Sequence, residues 1–285
     1  MSPKVWFITG SSTGLGRSMT ELVLKNGDIA VATLRKPDAL SDLVAKYPAE
    51  RLLVLKLDVA KPDEITAAFS DAVKQFGRID IVFNNAAYAT LGEVEGTPDD
   101  VAQHLFNVNF WGATQVSKEA IKVFREVNKP VGGRLLQVSS MVGIMAPAGL
   151  GFYSASKHAL EGLSDALATE IDPEWNIKVN CFSRAQDAVH QPGAFRTNGV
   201  TNMGKFPPPP AYTNPKLPTN VTRDVMQVPY GAEPDKAAEK MYRLAELPEP
   251  PLHFPLGKDA ISAVRQKLAA ISADFDKYES WSDDM

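Results

Sequence analysis

A tyrosine and a lysine four residues apart carry the clearest chemical signal in this chain. Tyr153 and Lys157 stand in the stretch Tyr-Ser-Ala-Ser-Lys, and residues i and i+4 of a helix lie on one face. A free phenol loses its proton near pH ~10, and a fixed cation beside it lowers that pKa. The pair could therefore move a proton to or from an alcohol oxygen at neutral pH. The spacing alone is weak evidence, because it occurs by chance in many helices.

A glycine-rich turn far upstream strengthens this interpretation. It contains Gly10, Gly14 and Gly16, follows the apolar run 5–8, and precedes a helical pattern. Helix N-termini attract anions, and glycines let a dinucleotide's pyrophosphate approach the backbone. The spacing is G-x-x-x-G-x-G rather than G-x-G-x-x-G, and a bare glycine turn is often only a turn. At the first strand–helix junction of an alternating chain, a nucleotide-binding loop is favoured.

The composition restricts the classes of function. The chain has 285 residues, is 44% hydrophobic and carries a net charge of −4. That is enough for one α/β core or two small domains; no composition break appears in the first part of the chain, so we favour a single domain over 1–285. The absence of a long basic run argues against nucleic acid or an anionic membrane as partner. No signal peptide or apolar run of ~20 residues is visible, so we expect a cytoplasmic protein. The single cysteine, Cys181, excludes an intrachain disulfide, and its apolar neighbours favour a core thiol over a reactive one.

Strand and helix patterns alternate along the chain. Strands are predicted at 5–8, 29–34, 52–57, 79–83, 134–138 and 177–182, with a possible seventh at 252–254. Helices are predicted at 38–46, 62–76, 98–127 (with a break near Gly112 as an alternative), 152–170, 235–247 and 259–278. Such alternation predicts a Rossmann-type, doubly wound parallel sheet of about seven strands with helices on both faces. The stretch 195–230 is rich in proline and reads as a loop-rich excursion.

The polar residues that follow the strands converge. The glycine turn, Asp58, Asn85 and Ser140 all come directly after predicted strands, and the helix with Tyr153 starts from the same side. In parallel sheets, ligands bind beyond the carboxyl ends of the strands. This convergence carries more weight than any single motif.

These motifs, taken in order, resemble the short-chain dehydrogenase/reductase family over most of the chain. The matching elements are Thr9-Gly10-x-x-x-Gly14-x-Gly16, Asp58-Val59, Asn84-Asn85-Ala86, Asn109 before Gly112, Ser140, Tyr153 with Lys157, and Pro192-Gly193 followed by Thr197. The resemblance implies a Rossmann-type fold, NAD or NADP as cofactor, and hydride transfer between nicotinamide and a carbonyl or alcohol.

The resemblance also implies catalytic roles. Tyr153 would be the general acid in reduction and the base in oxidation, while Lys157 would assist it and hydrogen-bond the nicotinamide ribose. Ser140 would hydrogen-bond the substrate oxygen; it lies thirteen residues before Tyr153, the family's usual spacing, and is chosen over Ser139 on that ground. Asn109 would hold a water that relays protons to Lys157.

The remaining roles concern the cofactor. Asp58 would accept from the adenine amino group, Asn85 would lie near the adenosine ribose, and Thr197 would meet the carboxamide. The predicted cofactor-binding residues are Gly10, Ser12, Gly14, Leu15, Gly16, Leu34, Arg35, Asp58, Val59, Asn85, Tyr153, Lys157 and Thr197. We assign no metal ligands.

Each polar residue also has a structural alternative. Ser139 and Ser140 could cap a strand end or turn. Asn109 could satisfy a helix kink, and Asp58 could be the N-cap of the next helix. In isolation the structural alternative would be preferred for each; their order together with Tyr153 and Lys157 favours function.

The end of the second strand discriminates between the two cofactors. An acidic residue there would bind the ribose 2′-hydroxyl of NAD and repel a 2′-phosphate. The position holds Leu34, followed by Arg35 and Lys36. A guanidinium can grip phosphate oxygens bidentately, so NADP(H) is predicted. The alternative is that Arg35 and Lys36 are ordinary surface charges.

Two departures from the family pattern lie near the expected site. Ala87 replaces the usual glycine, which is tolerable where φ is negative. The segment 184–190 looks like an insertion ahead of Pro192, and it either bulges outward or displaces Thr197.

The region 195–230 corresponds to a substrate lid. Apolar residues at this lid and nearby predict an apolar cover and pocket wall: Phe195, Met203, Phe206, Tyr212, Met141 and Phe152. Residues 209–212 also match a P-P-x-Y ligand for WW domains, which a proline-stiffened lid explains equally well.

We therefore predict an NADP(H)-dependent oxidoreductase acting on a small or medium-sized, apolar carbonyl/alcohol pair. The alternatives are a dinucleotide-binding sensor or scaffold without turnover, and a related isomerase or epimerase. By resemblance we expect a homodimer or homotetramer.

Overall fold

A six-stranded parallel sheet forms the centre of the protein. The computed structural model describes residues 2–182, 203–226 and 233–285. The strands are β1 (Val5–Thr9), β2 (Ile29–Leu34), β3 (Leu52–Lys56), β4 (Ile81–Asn84), β6 (Gly133–Val138) and β7 (Ile177–Phe182), in the spatial order β3-β2-β1-β4-β6-β7. Two short strands, β5 (Thr90–Leu91) and β8 (Gly204–Lys205), pair with each other outside this sheet. The predicted Rossmann-type, doubly wound arrangement is confirmed.

Helices cover both faces of the sheet. The helices are α1 (Gly14–Lys25), α2 (Ser41–Lys46), α3 (Pro62–Phe76), α4 (Asp99–Phe106), α5 (Ala113–Lys122), α6 (Gly151–Glu170), α7 (Pro218–Val225), α8 (Pro234–Ala245) and α9 (Lys258–Tyr278). One apolar core joins α1, α2 and α8 to the sheet, and a second joins α3 and α5 to the opposite face. None of the described helices is both long and apolar enough to cross a membrane.

Strand β1 shows why this sequence makes a sheet buried on both sides. All five of its residues are buried. Trp6 belongs to the core under α1 and stacks on Tyr242 of α8, with ring centroids 5.0 Å apart. Phe7 points to the other face and stacks on Phe69 of α3 at 4.1 Å. Alternate residues therefore serve opposite cores, as the period of two requires.

The sequence interpretation needs three corrections. The fourth strand begins at Ile81 rather than at 79. The expected seventh strand at 252–254 is a single bridge, in which Cys181 N donates to Leu252 O and Phe254 N donates to Cys181 O. Pro251 and Pro255 flank this bridge and have no N–H to extend the ladder. Helix α7 lies inside the stretch that was expected to be loop.

The long helix predicted over 98–127 is present without a break. Helix α4 continues through a π-helical segment, Asn107–Gly112, into α5, and a second π-helical segment, Val123–Val127, ends it. The wider turn at Gly112 lies against the main chain of Val59, and a Cβ added to that glycine would sit 2.5 Å from Val59 O. A helix can therefore pass close to the strand ends here because Gly112 has no side chain.

Candidate active site

A cavity of about 460 Å³ lies at the carboxyl edge of the sheet. The strands next to the cavity end at nearly the same level of the sheet, since Thr9 pairs with Thr33 and Asn84 pairs with Gln137. Eleven of the predicted site residues line it: Gly10, Ser12, Gly14, Leu15, Leu34, Arg35, Asp58, Val59, Asn85, Tyr153 and Lys157. Residues far apart in sequence thus line the same cavity.

The glycine turn has a conformation that side chains would prevent. Gly10 and Gly14 have φ of +70° and +55°, in the left-handed region that favours glycine. A Cβ on Gly16 would sit 2.2 Å from the carbonyl oxygen of Gly10, so only glycine lets the start of α1 pack this closely against the turn. Gly16 does not line the cavity. Helix α1 begins at Gly14 with no acidic residue in its first turn, which leaves its N-terminus suited to an anion.

Asn85 ties this turn to the end of β4. Its side-chain amide donates to Thr9 O at 2.9 Å, and Thr9 Oγ1 accepts from the main-chain N–H groups of Asn85 and Ala86, both at 2.9 Å. These bonds hold the two strand ends at a constant separation. Asn85 therefore has a structural task here in addition to lining the cavity.

Asp58 closes the turn that follows β3. Its Oδ1 accepts from Ala60 N at 3.1 Å, and its own N–H donates to Glu64 Oε2 at 2.8 Å. Helix α3 has Lys61 as its N-cap, so the alternative that Asp58 caps this helix is wrong. Asp58 and Val59 both line the cavity, where a carboxylate can accept from an amino group.

Tyr153 and Lys157 lie on α6 with both side chains buried, at 4% and 3% exposure. The Lys157 ammonium donates to Val138 O at 2.8 Å, at the carboxyl end of β6. This bond places the cation against the strand end and beside the cavity that Tyr153 also lines. The predicted helical i, i+4 relation is therefore present at the edge of the sheet.

The two serines after β6 have different surroundings. Ser140 Oγ accepts from Val142 N at 3.3 Å and caps the 3₁₀ turn Met141–Gly143. Ser140 is fully buried and is not among the residues lining the cavity. Ser139 lines the cavity, and its buried Oγ has no hydrogen-bond partner among the described residues. The capping alternative thus holds for Ser140, alongside the role that spacing predicts.

Asn109 sits in the π-helical segment and joins three elements. Its side chain accepts from Tyr88 N at 3.0 Å and donates to Tyr88 O at 2.8 Å and to Ser156 Oγ at 3.2 Å. Ser156 lies on α6 between Tyr153 and Lys157. Asn109 does not line the cavity itself, but it links the loop after β4 to the helix that carries Tyr153 and Lys157. π-Helical turns frequently occur at functional sites.

The end of β2 presents a cation and no acid to the cavity. Leu34 is buried, and Arg35 is exposed to solvent. Both residues line the cavity, whereas Lys36 does not. Among the described residues, Arg35 makes no ion pair or hydrogen bond. Partial burial raises the pKa of the Tyr88 phenol, and the positive charge of Arg35 opposes that rise; Arg35 and Tyr88 are therefore close enough to interact electrostatically.

Ten lining residues were not among the predicted site residues. Ala86, Ala87 and Ser139 had been considered near the site without being assigned a role, whereas seven others were missed altogether: Thr13, Leu57, Tyr88, Ala89, His104, Val108 and Val138. Tyr88 and His104 are the notable pair, with ring centroids 5.8 Å apart. Tyr88 carries a weak local signal, because it follows the Asn-Asn-Ala-Ala stretch by one residue. His104 has none, since it reaches the cavity only through the path of α4. Ala87 does not lie in the left-handed region, so the replacement of glycine is tolerated.

Tyr153 belongs to an apolar cluster. It contains Ala89, Leu91, Leu105, Met141, Val142, Leu150, Tyr153, Met203, Met226 and Ala260. Met141 and Met203 were predicted to belong to the pocket wall and cover. Cys181 is also buried, and burial raises the pKa of its thiol well above the usual range, as expected for a core thiol.

Residues 203–226, the described part of the predicted lid, are attached to the loop after β4. Strand β8 pairs with β5, and the Arg223 guanidinium of α7 donates to Glu93 Oε1 at 2.7 Å and to Phe206 O at 3.1 Å. Arg223 holds the pKa of the buried Glu93 below its usual range. A paired, buried carboxylate of this kind anchors α7 to the loop after β4.

The proline-rich motif packs onto the same loop. Tyr212 donates its hydroxyl proton to Glu95 at 2.8 Å, and residues Pro210–Tyr212 form a 3₁₀ turn. A Cβ added to Gly96 would sit 2.6 Å from the ring of Pro209. This packing agrees with a stiffened lid rather than with an extended ligand for a WW domain.

Several predictions lie outside the described residues. These are Thr197, the Pro192-Gly193 pair, the insertion at 184–190, Phe195, and the ends of the lid. They stay predictions.

Comparison with known proteins decides the family. The model of the short chain dehydrogenase family matches residues 4–203. This chain belongs to the short-chain dehydrogenase/reductase family. An uncharacterized oxidoreductase of Schizosaccharomyces pombe is 38% identical, over 91% of this chain and 84% of the relative. The protein is thus an oxidoreductase by family.

Solved structures of other family members agree with the fold. A short-chain dehydrogenase from Streptomyces avermitilis superposes with a TM-score of 0.85 at 32% identity, covering 99% of this chain and 98% of that one. Two more distant structures have TM-scores of 0.72: a 3-ketoacyl-(acyl-carrier-protein) reductase from Brucella melitensis complexed with NADH (22% identity, 89% and 95% covered) and a short chain dehydrogenase from Burkholderia cenocepacia in complex with NADP (20% identity, 97% of both). At such identities they support the fold alone.

Proposed function

We propose that this protein is an NADP(H)-dependent oxidoreductase that reduces apolar aldehydes or ketones, with Tyr153 as the general acid. One observation carries the proposal: the glycine turn, the end of β2 and the Tyr153–Lys157 pair line the same cavity. The end of β2 contributes Leu34, where an NAD-binding protein would have an acidic residue, and Arg35. The three features are a phosphate-binding turn, a discriminator between the two cofactors, and a proton donor beside a fixed cation.

The residues present fit a dinucleotide. Gly10 and Gly14 line the cavity without side chains, and helix α1 begins at Gly14, which suits a pyrophosphate. Asp58 would accept from the adenine amino group, and Lys157 would bond the nicotinamide ribose. One family member was solved with NADH and another with NADP, so the family relation alone leaves the choice open.

Arg35 supports NADP(H) over NAD(H). Its guanidinium lines the cavity without an ion-pair partner among the described residues, and Leu34 offers no carboxylate to a ribose 2′-hydroxyl. A 2′-phosphate would therefore meet an uncompensated positive charge and no negative one.

The proton transfer depends on Tyr153 and Lys157. A bound NADPH would supply the hydride that the substrate's carbonyl carbon accepts. Tyr153 donates its hydroxyl proton to the carbonyl oxygen, which becomes the alcohol. The Lys157 ammonium, held against Val138 O at 2.8 Å, stabilises the resulting phenolate by its charge. Asn109 acts as a positioning residue, because its bonds to Tyr88 and Ser156 fix the flanking elements.

The surroundings of Tyr153 favour an apolar substrate. Its neighbours in the cluster include Met141, Leu150, Met203 and Met226, and methionine adapts its shape to irregular apolar groups. The described lid residues contribute two of these four side chains. The described residues 203–226 would then cover the substrate during the reaction.

The direct test is a binding and turnover measurement with both cofactors. We expect NADPH to bind more tightly than NADH, and its absorbance to fall when an apolar ketone or aldehyde from a panel is added. Tight NADPH binding without consumption across a broad panel would favour a sensor or scaffold. Conversion of a stereocentre without net consumption of cofactor would favour an epimerase.

The two serines provide a paired prediction. On the family's usual spacing of thirteen residues before Tyr153, we expect Ser140 to be the donor although Ser139 lines the cavity. Ser140→Ala should then lower kcat by about 100-fold, the usual loss when a donor to a developing oxyanion is removed. Ser139→Ala should lower kcat only a few-fold. Steady-state kinetics with the best substrate of the panel would measure both. The opposite ranking would assign the substrate hydrogen bond to Ser139, whose Oγ is buried at the cavity without a described partner.

A further inference from the structure

Helix α9 presents an apolar stripe to solvent. Its first turn is anchored, since Ala260 is fully buried in the cluster around Tyr153. Beyond Val264 nearly every residue is exposed. Leu268 and Phe275 are 57% and 71% exposed, and Tyr278 is 46% exposed. Large apolar side chains in this number are unusual on a solvated helix.

The stripe follows a repeat of three and four residues. The apolar positions are Ile261, Val264, Leu268, Ile271, Phe275 and Tyr278. This is the spacing of the a and d positions of a coiled coil, which places all six on one seam. Single helices of the globular type carry a broader stripe against their own core, whereas three of these six side chains are exposed and the other three are only half-buried.

We propose that a second copy of this chain covers the seam, with the two α9 helices packed antiparallel. In this arrangement each a residue faces a d residue of the other copy. Leu268 meets Ile271, Val264 meets Phe275, and Ile261 meets Tyr278. Each layer pairs a residue of the first half of the helix with one of the second half, so a two-fold axis between Ala269 and Ala270 generates all six layers.

The flanking charges agree with the antiparallel direction. In antiparallel helices, equivalent flanking positions of the two copies face each other. Lys267 then lies opposite Asp274 of the other copy, and Lys258 lies opposite Glu279. Each pair occurs twice by symmetry, and all four contacts are attractive. A parallel pair would instead bring Asp274 next to Glu279 of the other copy, which is repulsive.

The same charges argue against a lipid surface as the occupant. Residues 258–285 contain four basic and six acidic side chains. Amphipathic helices that lie on membranes carry lysine and arginine on their polar face, because anionic lipids attract them. The net negative charge of this segment, and an apolar stripe limited to the a and d positions, fit a second α9 helix better than a lipid surface.

Sedimentation velocity with two glutamate variants tests the interface. We expect Leu268→Glu, on the seam, to halve the mass of the wild-type assembly at micromolar concentration. Ala273→Glu introduces the same charge on the outward face and should keep the wild-type mass. A wild-type chain that is monomeric, or a Leu268→Glu variant with the wild-type mass, would overturn the proposal. Binding of a monomeric wild-type chain to phosphatidylcholine or phosphatidylserine vesicles would assign the seam to lipid instead.

Charge reversal keeps the test valid if Leu268→Glu perturbs the fold. Lys267→Asp is an exposed substitution that places two carboxylates opposite each other, and it should raise the dissociation constant of the assembly by about tenfold. The double variant Lys267→Asp/Asp274→Lys should restore it to within about twofold of the wild type. Failure of the second change to restore association would contradict the antiparallel pairing.

Cysteine cross-linking tests the direction of the helices. The chain's own Cys181 is buried, so we expect little cross-linking through it. A mixture of Leu268→Cys and Ile271→Cys chains should form disulfide-linked dimers on mild oxidation, whereas each variant alone should form few, because a disulfide needs Cα atoms about 4.4–6.8 Å apart. Equal cross-linking of Leu268→Cys alone would indicate a parallel pair and overturn the arrangement.

Discussion

Replacing Tyr153 with phenylalanine is expected to abolish turnover while leaving NADPH bound nearly as well as in the wild type. The change removes one hydroxyl from a side chain that is 4% exposed, so the apolar packing with Met141 and Leu150 persists. General acid catalysis contributes about 10²–10⁴-fold to a rate, and we expect kcat to fall by about 10³-fold or more. Stopped-flow and steady-state measurements of NADPH oxidation would show the loss of turnover, and fluorescence titration would show that NADPH still binds.

The matched control is Tyr47→Phe. Tyr47 lies after α2 and outside the cavity, so the same loss of a hydroxyl there should leave kcat near the wild-type value. A Tyr153→Phe variant that keeps more than about a tenth of the wild-type kcat would refute the assignment of this residue. Loss of NADPH binding in the same variant would instead indicate that the phenol has a structural role.

Removing the positive charge at Arg35 is expected to weaken NADPH far more than NADH. A hydrogen bond to a charged group contributes about 1.5–3 kcal/mol, so the dissociation constant for NADPH should rise by about 10- to 100-fold in Arg35→Ala. NADH has no 2′-phosphate, and its affinity should change by less than about threefold. Isothermal titration of both cofactors would measure the two changes in one experiment.

Lys36→Ala is the control for this substitution. It removes the same charge one residue along, on a side chain that does not line the cavity, and it should change the two affinities equally and little. Leu34→Asp should shift preference toward NADH by adding the missing carboxylate. Because Leu34 is also a core residue, the melting temperature of that variant should be measured alongside. An equal loss of both cofactors in Arg35→Ala would show that Arg35 does not select the phosphate.

Local patterns were sufficient to predict most elements of the sheet and its edge. Val5, Phe7 and Ile8 alternate between two cores, and such runs between helical patterns identify parallel strands without knowledge of contacts. The Tyr153–Lys157 spacing is a property of one helix. Glycine adopts the left-handed φ of Gly10 and Gly14 without steric cost, so the turn could also be predicted from the sequence.

Contacts between distant segments were not predictable in this way. Glu93 and Arg223 are 130 residues apart and form an anchored pair that no local pattern indicates. His104 joins the cavity because α4 crosses the strand ends, and the two-residue ladder of β5 and β8 is too short to show a period. The seam of α9 spans fewer than three heptads, which is less than a sequence pattern needs to indicate a coiled coil.

Local sequence was sufficient to predict the fold class, the glycine turn, the helical spacing of Tyr153 and Lys157 and the absence of an acid at the end of β2, because each is a property of neighbouring residues. Tertiary packing determines which side chains share the cavity and that Ser139 rather than Ser140 lines it. It also determines that Asn109 joins the loop after β4 to α6, and that half of the α9 seam residues are exposed to solvent. Those features depend on where whole helices and strand ends meet, and packing sets that geometry over distances that a sequence period cannot encode.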